Sequence, residues 1–252
     1  MSGGASVYRE IDELLAGACR PSPGAAPEEL PPPVQRWLRW SRADAAALPA
    51  TVRLLQEGEF RTGEKRGWAP FRAEQYFSLD PPGFLWRVRM RLAPLVSVTG
   101  RDRWVDGEAS MRMRLLGLVP VVNASGPELA QGAMLRWLGE IIWFPQAARS
   151  PRIAWEAVDD ESARATLTAG GRSAAETFVF GADGRPVELR ADRFNDQRKA
   201  ILPWVNRNEE FGELAGLRVP TAGEALWVYE TGESPYIRWR ITRLDLDVPE
   251  RF

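Results

Sequence analysis

Trp86-Arg87-Val88-Arg89-Met90-Arg91-Leu92 switches between apolar and cationic at every step. A period of two belongs to a β-strand, whose successive side chains point to opposite faces, so this stretch has one buried and one solvated side. Met111, Met113 and Leu115 alternate with Arg112 and Arg114 in the same way. Asp106-Gly107, between the two runs, carries the residue types of a tight type I′ hairpin. Near the C-terminus Ile237, Trp239 and Ile241 alternate with Arg238 and Arg240. Working outward, the period of two begins at residue 51. Further strands are expected near residues 152–158, 163–169, 174–181, 186–194, 223–231 and 235–246, punctuated by Gly170-Gly171 and Asp183-Gly184.

The alternation is interrupted once. Ser125-Gly126-Pro127-Glu128 has the spacing of a capping box, and Leu129, Ala133, Met134, Trp137, Leu138, Ile141 and Ile142 then form a broad apolar stripe at helical period. Pro145 ends the run, so a helix is expected near 126–143. Before the strands, Val7, Ile11, Leu14, Leu15 and Ala18 mark a short amphipathic helix over 6–18. A Pro-rich connection covers 20–33, and a second helix starts near Pro33, burying Val34, Trp37 and Leu38. The expected fold is mainly β: an open, curved antiparallel sheet, or half-barrel, with the inserted helix covering its concave face and helices at the N-terminus. Residues 1–33 form an N-terminal helix and connection, and 34–252 one β-rich domain.

Composition removes several chemistries. The 33 basic and 34 acidic residues cancel, which leaves no overall field to attract nucleic acid or an anionic membrane. With no histidine there is no imidazole base or ligand, and the single cysteine, Cys19, makes neither an internal disulfide nor a thiolate metal site. No metal and no cofactor are expected. Leu15-Ala16-Gly17-Ala18-Cys19 superficially matches a lipoprotein cleavage box. Arg9, Glu10, Asp12 and Glu13, however, stand where an apolar run is required, and no later stretch is apolar enough to span a bilayer. The expected location is cytoplasmic. Gly-rich phosphate loops, a nucleophile elbow and an EF-hand pattern are missing.

Several stretches together resemble a bacterial family of unknown function. They are Leu30-Pro31-Pro32-Pro33-Val34 with Trp37-Leu38, Pro81-Pro82-Gly83-Phe84 with Trp86, Gly117-Leu118-Val119-Pro120-Val121, Gly126-Pro127-Glu128, Arg136-Trp137-Leu138 with Glu140, Trp143 with Pro145, and Pro203-Trp204. The resemblance runs from about residue 30 onward and implies no activity. The order of elements also resembles the lipoprotein-carrier fold of the LolA and LolB type. That likeness implies a half-barrel whose helical lid encloses acyl chains.

Candidate site residues follow from the helix. Glu128, Arg136 and Glu140 lie off its apolar stripe, and on a helix that plugs a concave sheet such groups are held where water is scarce and a carboxylate pKa rises. Capping by Glu128 and an i,i+4 pair between Arg136 and Glu140 explain the same residues without a site. Trp143 and Trp204, two of eleven tryptophans, can supply flat cavity walls or simply fill the core. Tyr76, Tyr229 and Tyr236 join the carboxylates as proton-transfer candidates. Arg87, Arg89, Arg91, Arg112 and Arg114 read as an anion surface or as an outer sheet face paired with acids, and Asp245 and Asp247 as a weak metal pair or a solvated strand end. Two functional classes remain. One is a binding or carrier protein that encloses a hydrophobic small molecule or lipid-like ligand. The other is a cofactor-independent isomerase or cyclase that uses a buried carboxylate.

Overall fold

The computed structural model describes residues 2–22, 24–61, 63 and 67–252. Among them, thirteen strands form one sheet in which every neighbouring pair is antiparallel. The N-terminal wing comprises β1 (Thr51–Phe60), β2 (Ala69–Leu79), β3 (Pro82–Ala93), β4 (Val96–Val105), β5 (Glu108–Leu115) and β6 (Val119–Ser125). The C-terminal wing comprises β7 (Ile153–Ala157), β8 (Ser162–Ala169), β9 (Arg172–Phe180), β10 (Pro186–Asn195), β11 (Ala200–Leu214), β12 (Leu217–Tyr229) and β13 (Gly232–Leu246). First and last strands pair in the middle, Val52 opposite Leu246, and each wing meanders outward to an edge, β6 on one side and β7 on the other.

This order dictates where the inserted helix goes. Helix α3 (Pro127–Glu140) joins β6 to β7, the two outermost strands, and crosses the concave face to do so. The sheet stays open, yet it curls until its wings touch: in the β4–β5 turn, the Asp106 carboxylate accepts a hydrogen bond from the Gly170 amide of the β8–β9 turn at 3.0 Å. Asp106 and Gly107 both have positive φ, 44° and 93°, as the expected type I′ hairpin requires.

The start of α3 corrects one expectation. Ser125 ends β6 and makes no capping bond; the N-cap is Gly126, at φ 121°, with Pro127 in the first turn. A side chain at φ 121° is strained, so glycine sets the entry angle and proline supplies helical φ without a surplus amide. The helix gives way to a 3₁₀ turn at Ile141–Trp143, and Pro145 opens another that runs to Arg149. Met134, Trp137, Leu138 and Ile141 are fully buried, while Leu129 is only partly so. Fully burying a side chain of this kind contributes roughly 1.5–3 kcal/mol, so the stripe anchors α3 in the sheet.

Two further helices complete the layers. Helix α2 (Pro32–Ser41) buries Val34, Trp37 and Leu38, with Trp37 against Phe178 and Phe180 of β9. Helix α1 (Ser2–Ala16) covers the other face of the sheet, packing Ile11, Leu14 and Leu15 on Tyr76 and Leu85. It also brings Glu10 within 2.7 Å of Arg101. The outward arginines divide. Arg87 pairs with Glu74 at 2.7 Å, whereas Arg89, Arg91 and Arg114 are exposed without an ion-pair partner among the described residues. Asp245 is held by Arg53 and Arg243, and Asp247 by Arg20 and the Ala50 amide, so that pair belongs to strand-end structure.

Strand β11 has no counterpart in the sequence pattern. Trp204, Val205, Asn206 and Asn208 are buried along it, Pro203 interrupts its donors, and its pairing with β12 is bulged near Glu210. Its two inward asparagines are satisfied locally. Asn206 donates to Asn208 at 2.9 Å, and Asn208 donates to the Pro186 carbonyl at 2.8 Å.

Candidate functional site

The concave face is not filled along its length. Between the C-terminal half of α3 and the two wings lies a cavity of about 780 Å³. The N-terminal wing lines it with Val88, Met90 and Leu92 from β3 and Met111, Met113 and Leu115 from β5, the inward members of the alternating runs. The C-terminal wing contributes Arg193, Trp204, Asn206, Tyr236 and Trp239, and the helix and its last turn contribute Arg136, Glu140 and Trp143.

At the helix the charged groups form a closed network. Arg136 lies over the rings of both Phe84 and Trp86, its guanidinium carbon 4.9 and 4.8 Å from their centroids. Its Nε donates to Glu140 Oε1 at 2.8 Å, Nη1 to Asp102 Oδ2 at 3.2 Å and Nη2 to Gln75 Oε1 at 3.2 Å. Gln75 returns a bond to Glu140 Oε2 at 2.6 Å. Burial pushes the carboxyls of Asp102 and Glu140 up from the usual range, with the Arg136 charge opposing that push. Burial also pulls Arg136 down, but the two carboxylates more than reverse it and raise its pKa. Asp102 Oδ1 is buried with no hydrogen-bond partner among the described residues.

The aromatic residues present polar edges. Trp86 donates to Gln56 at 2.9 Å, Trp239 to Asn206 at 3.1 Å and Trp204 to the Tyr236 hydroxyl at 2.9 Å. Trp143 packs edge-on to Trp239, 5.3 Å between centroids, and its buried Nε1 lacks a partner among the described residues. Arg193 stacks over Trp204 at 4.6 Å and donates to the Gly132 carbonyl of α3 at 2.9 Å.

One more carboxyl lies beside the cavity. Glu176 of β9 is almost fully buried under α3, and neither of its oxygens has a hydrogen-bond partner among the described residues. Burial pushes its pKa up to about 8, Arg193 opposing and Glu140 reinforcing the shift. The helix can approach it because residue 139 is glycine: a Cβ there would lie 2.8 Å from Glu176 Oε2 and 3.3 Å from Leu189.

Of the residues singled out by sequence, Arg136, Glu140, Trp143 and Trp204 all line the cavity. Glu128 does not; it is exposed in the first turn of α3. Tyr236 lines the cavity, Tyr229 accepts a bond from Asn195 at 3.2 Å, and Tyr76 lies under α1 with its hydroxyl raised by burial. Sequence reasoning missed Asp102, Gln75, Arg193, Asn206 and Glu176. Asp102 carried a signal: it falls in phase with Val98 and Trp104 on the inward side of β4, where an acid interrupts an apolar face. Among the described residues, no three Cys, Asp or Glu side chains gather as metal ligands, and no helix is long and apolar enough to cross a membrane.

Similar structures have been solved. A DUF1329 family protein from Desulfovibrio piger is 12% identical over 87% of this chain and 93% of its own, with a TM-score of 0.49. A putative outer membrane lipoprotein-sorting protein domain from Vibrio parahaemolyticus is 10% identical over 80% of this chain and 87% of its own, TM-score 0.42. A LolA superfamily protein from Nitrosomonas europaea is 11% identical over 96% of this chain and 92% of its own, TM-score 0.40. No curated protein matches the sequence. A family model does match, over residues 21–239, and the chain therefore belongs to DUF6544, a family of unknown function.

Proposed function

We propose that this protein binds and carries a hydrophobic small molecule or lipid-like ligand in the cavity between the curved sheet and α3. The observation that carries the reading is the lining: about 780 Å³ of space walled mainly by aliphatic, thioether and aromatic side chains, with its charged groups gathered at the helix and largely paired to one another. A space of this size and chemistry suits an apolar body with a small polar end. The body lies along Val88, Met90, Met111 and Met113, and the polar end faces Trp204, Tyr236 and Arg193. Methionine suits the wall because its flexible thioether adapts to chains of different shape. The reading includes a cytoplasmic location, which the lone unpaired Cys19 supports.

Native mass spectrometry and organic extraction of protein purified from its own host test the proposal. One apolar molecule per chain is expected, displaced when Met113→Trp fills the cavity. Protein that is consistently empty, and that fails to enhance the fluorescence of N-phenyl-1-naphthylamine, overturns it.

One observation favours a second reading, a cofactor-independent isomerase or cyclase: Asp102 Oδ1 is a buried, unpartnered acceptor on a residue that lines the cavity. In that role Asp102 or Glu140 moves a proton on a bound apolar substrate. Turnover of an extracted ligand that is lost in Glu140→Gln, with binding retained, selects this reading.

A further inference from the structure

We propose that the β3–β4 and β5–β6 turns dock this protein on an anionic lipid bilayer. Five branched aliphatic side chains stand in solvent at these turns: Leu95 is 97% exposed, Leu118 73%, Val119 56%, Leu116 53% and Val121 50%. A single exposed leucine is ordinary, but a cluster on two adjacent turns marks an interaction surface. The turns lie side by side at one end of the sheet. Val98 is opposite Leu115, and the Leu116 amide donates to the Ser97 carbonyl at 2.7 Å. Leu95 and Leu116 also hold left-handed backbone, φ 66° and 52°, which bulky side chains rarely adopt.

The charge pattern selects the occupant. No Asp or Glu occurs from Pro81 through Arg101 or from Ala109 through Pro127, while Arg89, Arg91 and Arg114 stand exposed on these strands. None of the three has an ion-pair partner among the described residues. A second copy of this chain would meet the patch with the same sign of charge if it used the same face, which disfavours a twofold dimer. A bilayer carrying anionic headgroups complements both features: leucines enter the interfacial region and arginines remain at headgroup level. The patch is also continuous with the cavity, because Leu92, Leu115 and Val121 line the cavity and adjoin these same turns. A ligand leaving along that wall passes onto the docking turns rather than into water. Docking itself needs no ligand, so it stands or falls separately from the carrier reading.

Co-sedimentation of the full chain with vesicles tests this. Binding is expected to phosphatidylcholine vesicles containing about 30% phosphatidylglycerol and to weaken strongly as salt shortens the Debye length from about 30 to 8 Å. Phosphatidylcholine alone should bind at least about tenfold more weakly. Leu95→Asp with Leu118→Asp should abolish binding, and Arg91→Ala with Arg114→Ala should weaken it about twenty-five-fold, near fivefold for each arginine. All four positions are exposed, so unchanged thermal unfolding is expected and separates loss of docking from loss of fold. Failure of the wild-type chain to bind the mixed vesicles, or equal binding by the leucine variant, overturns the proposal. So does a dimer that the leucine variant converts to monomer, since the turns then serve contact between copies.

Discussion

The two walls of the cavity are built from the same kind of strand and differ in what they offer a ligand. The N-terminal wall is the smoother: Val88, Met90 and Leu92 of β3 and Met111, Met113 and Leu115 of β5 make most of it, and among the described residues its only members with a polar group are Gln56, Trp86 and Asp102. The C-terminal wall consists largely of side chains with a polar edge, Trp204, Asn206, Tyr236, Trp239 and Arg193. The difference continues to the turns at the same end of the sheet, which carry Leu95, Leu116 and Leu118 on the N-terminal wing but Glu230, Glu233, Asp196 and Lys199 on the other. Curling an alternating sheet makes a concave surface; making its halves unlike gives that surface a direction. An apolar body is accepted along one half and a polar end along the other.

Helix α3 holds the halves apart, and removing its central cation is the most damaging way to break the arrangement. Arg136→Ala strips the counterion from Asp102 and Glu140 and removes the cation that covers the rings of Phe84 and Trp86. Uncompensated buried carboxylates cost roughly 3–5 kcal/mol, and urea unfolding at neutral pH should lose that much stability. Neutralising the partners together, as Arg136→Met with Asp102→Asn and Glu140→Gln, should recover most of it. A loss below about 1 kcal/mol in the single variant would place the anchoring of α3 in its apolar stripe alone.

Glu176 sharpens the comparison, since it is an acid on the polar wing that keeps its proton. Its folded pKa of about 8 lies above the 4.5 of the free side chain. Below pH 4.5 both folded and unfolded chains hold the proton and no penalty exists. Between pH 4.5 and 8 the unfolded chain ionises while the folded one does not, so folding loses stability as pH rises, and the loss is complete above pH 8. Glu176→Gln keeps the shape and removes the titration. Comparing urea unfolding at pH 5 and pH 9, the variant should gain a few kcal/mol on wild type at pH 9 and little at pH 5. An equal difference at both values would mean that Glu176 ionises freely when folded.

The smooth wall predicts a binding effect of intermediate size. Met113→Trp places a bulky ring in the space an apolar body needs, and affinity for N-phenyl-1-naphthylamine should fall on the order of tenfold, about 1.4 kcal/mol. Unchanged affinity would move the binding surface off β5.

The same asymmetry explains what the sequence disclosed. The N-terminal wall was legible because arginine marks three successive outward positions of β3 and two of β5, which makes the period of two unmistakable. The apolar stripe located α3, and once the helix plugs the sheet Arg136 and Glu140 fall beside the cavity with little freedom. The polar wall was not legible. Strand β11 turns asparagines inward and carries Pro203, so its pattern reads as a loop, and the bonds that satisfy Asn206 and Asn208 come from residues on other strands or two positions away. Glu128 shows the converse error. Its spacing from Ser125 fits a capping box, but Ser125 stays in β6 and Gly126 makes the turn, which leaves Glu128 in solvent. Glu176 carried the same signal as Asp102 and was passed over: it falls in phase with Ala174, Phe178 and Phe180, where an acid interrupts the apolar face of β9.

The smallest effect isolates the polar wall. The Tyr236 hydroxyl accepts from Trp204 Nε1 at 2.9 Å, which leaves its own proton for an acceptor on a bound molecule. Tyr236→Phe removes that donor and enlarges the cavity by no more than the one oxygen atom. It also strands Trp204 Nε1, at a cost near 1 kcal/mol in unfolding experiments. Two fluorescent probes separate the walls: N-phenyl-1-naphthylamine, nearly all apolar, and 11-(dansylamino)undecanoic acid, which carries a carboxylate end. The variant should bind the first as wild type does and the second about fivefold more weakly, the loss of one hydrogen bond worth about 1 kcal/mol. Equal losses for both probes would mean that Tyr236 shapes the cavity through Trp204 and does not touch the ligand's polar end. Loss of the apolar probe alone would reverse the assignment, with the head on the β3–β5 side, where Asp102 Oδ1 is the unpartnered group.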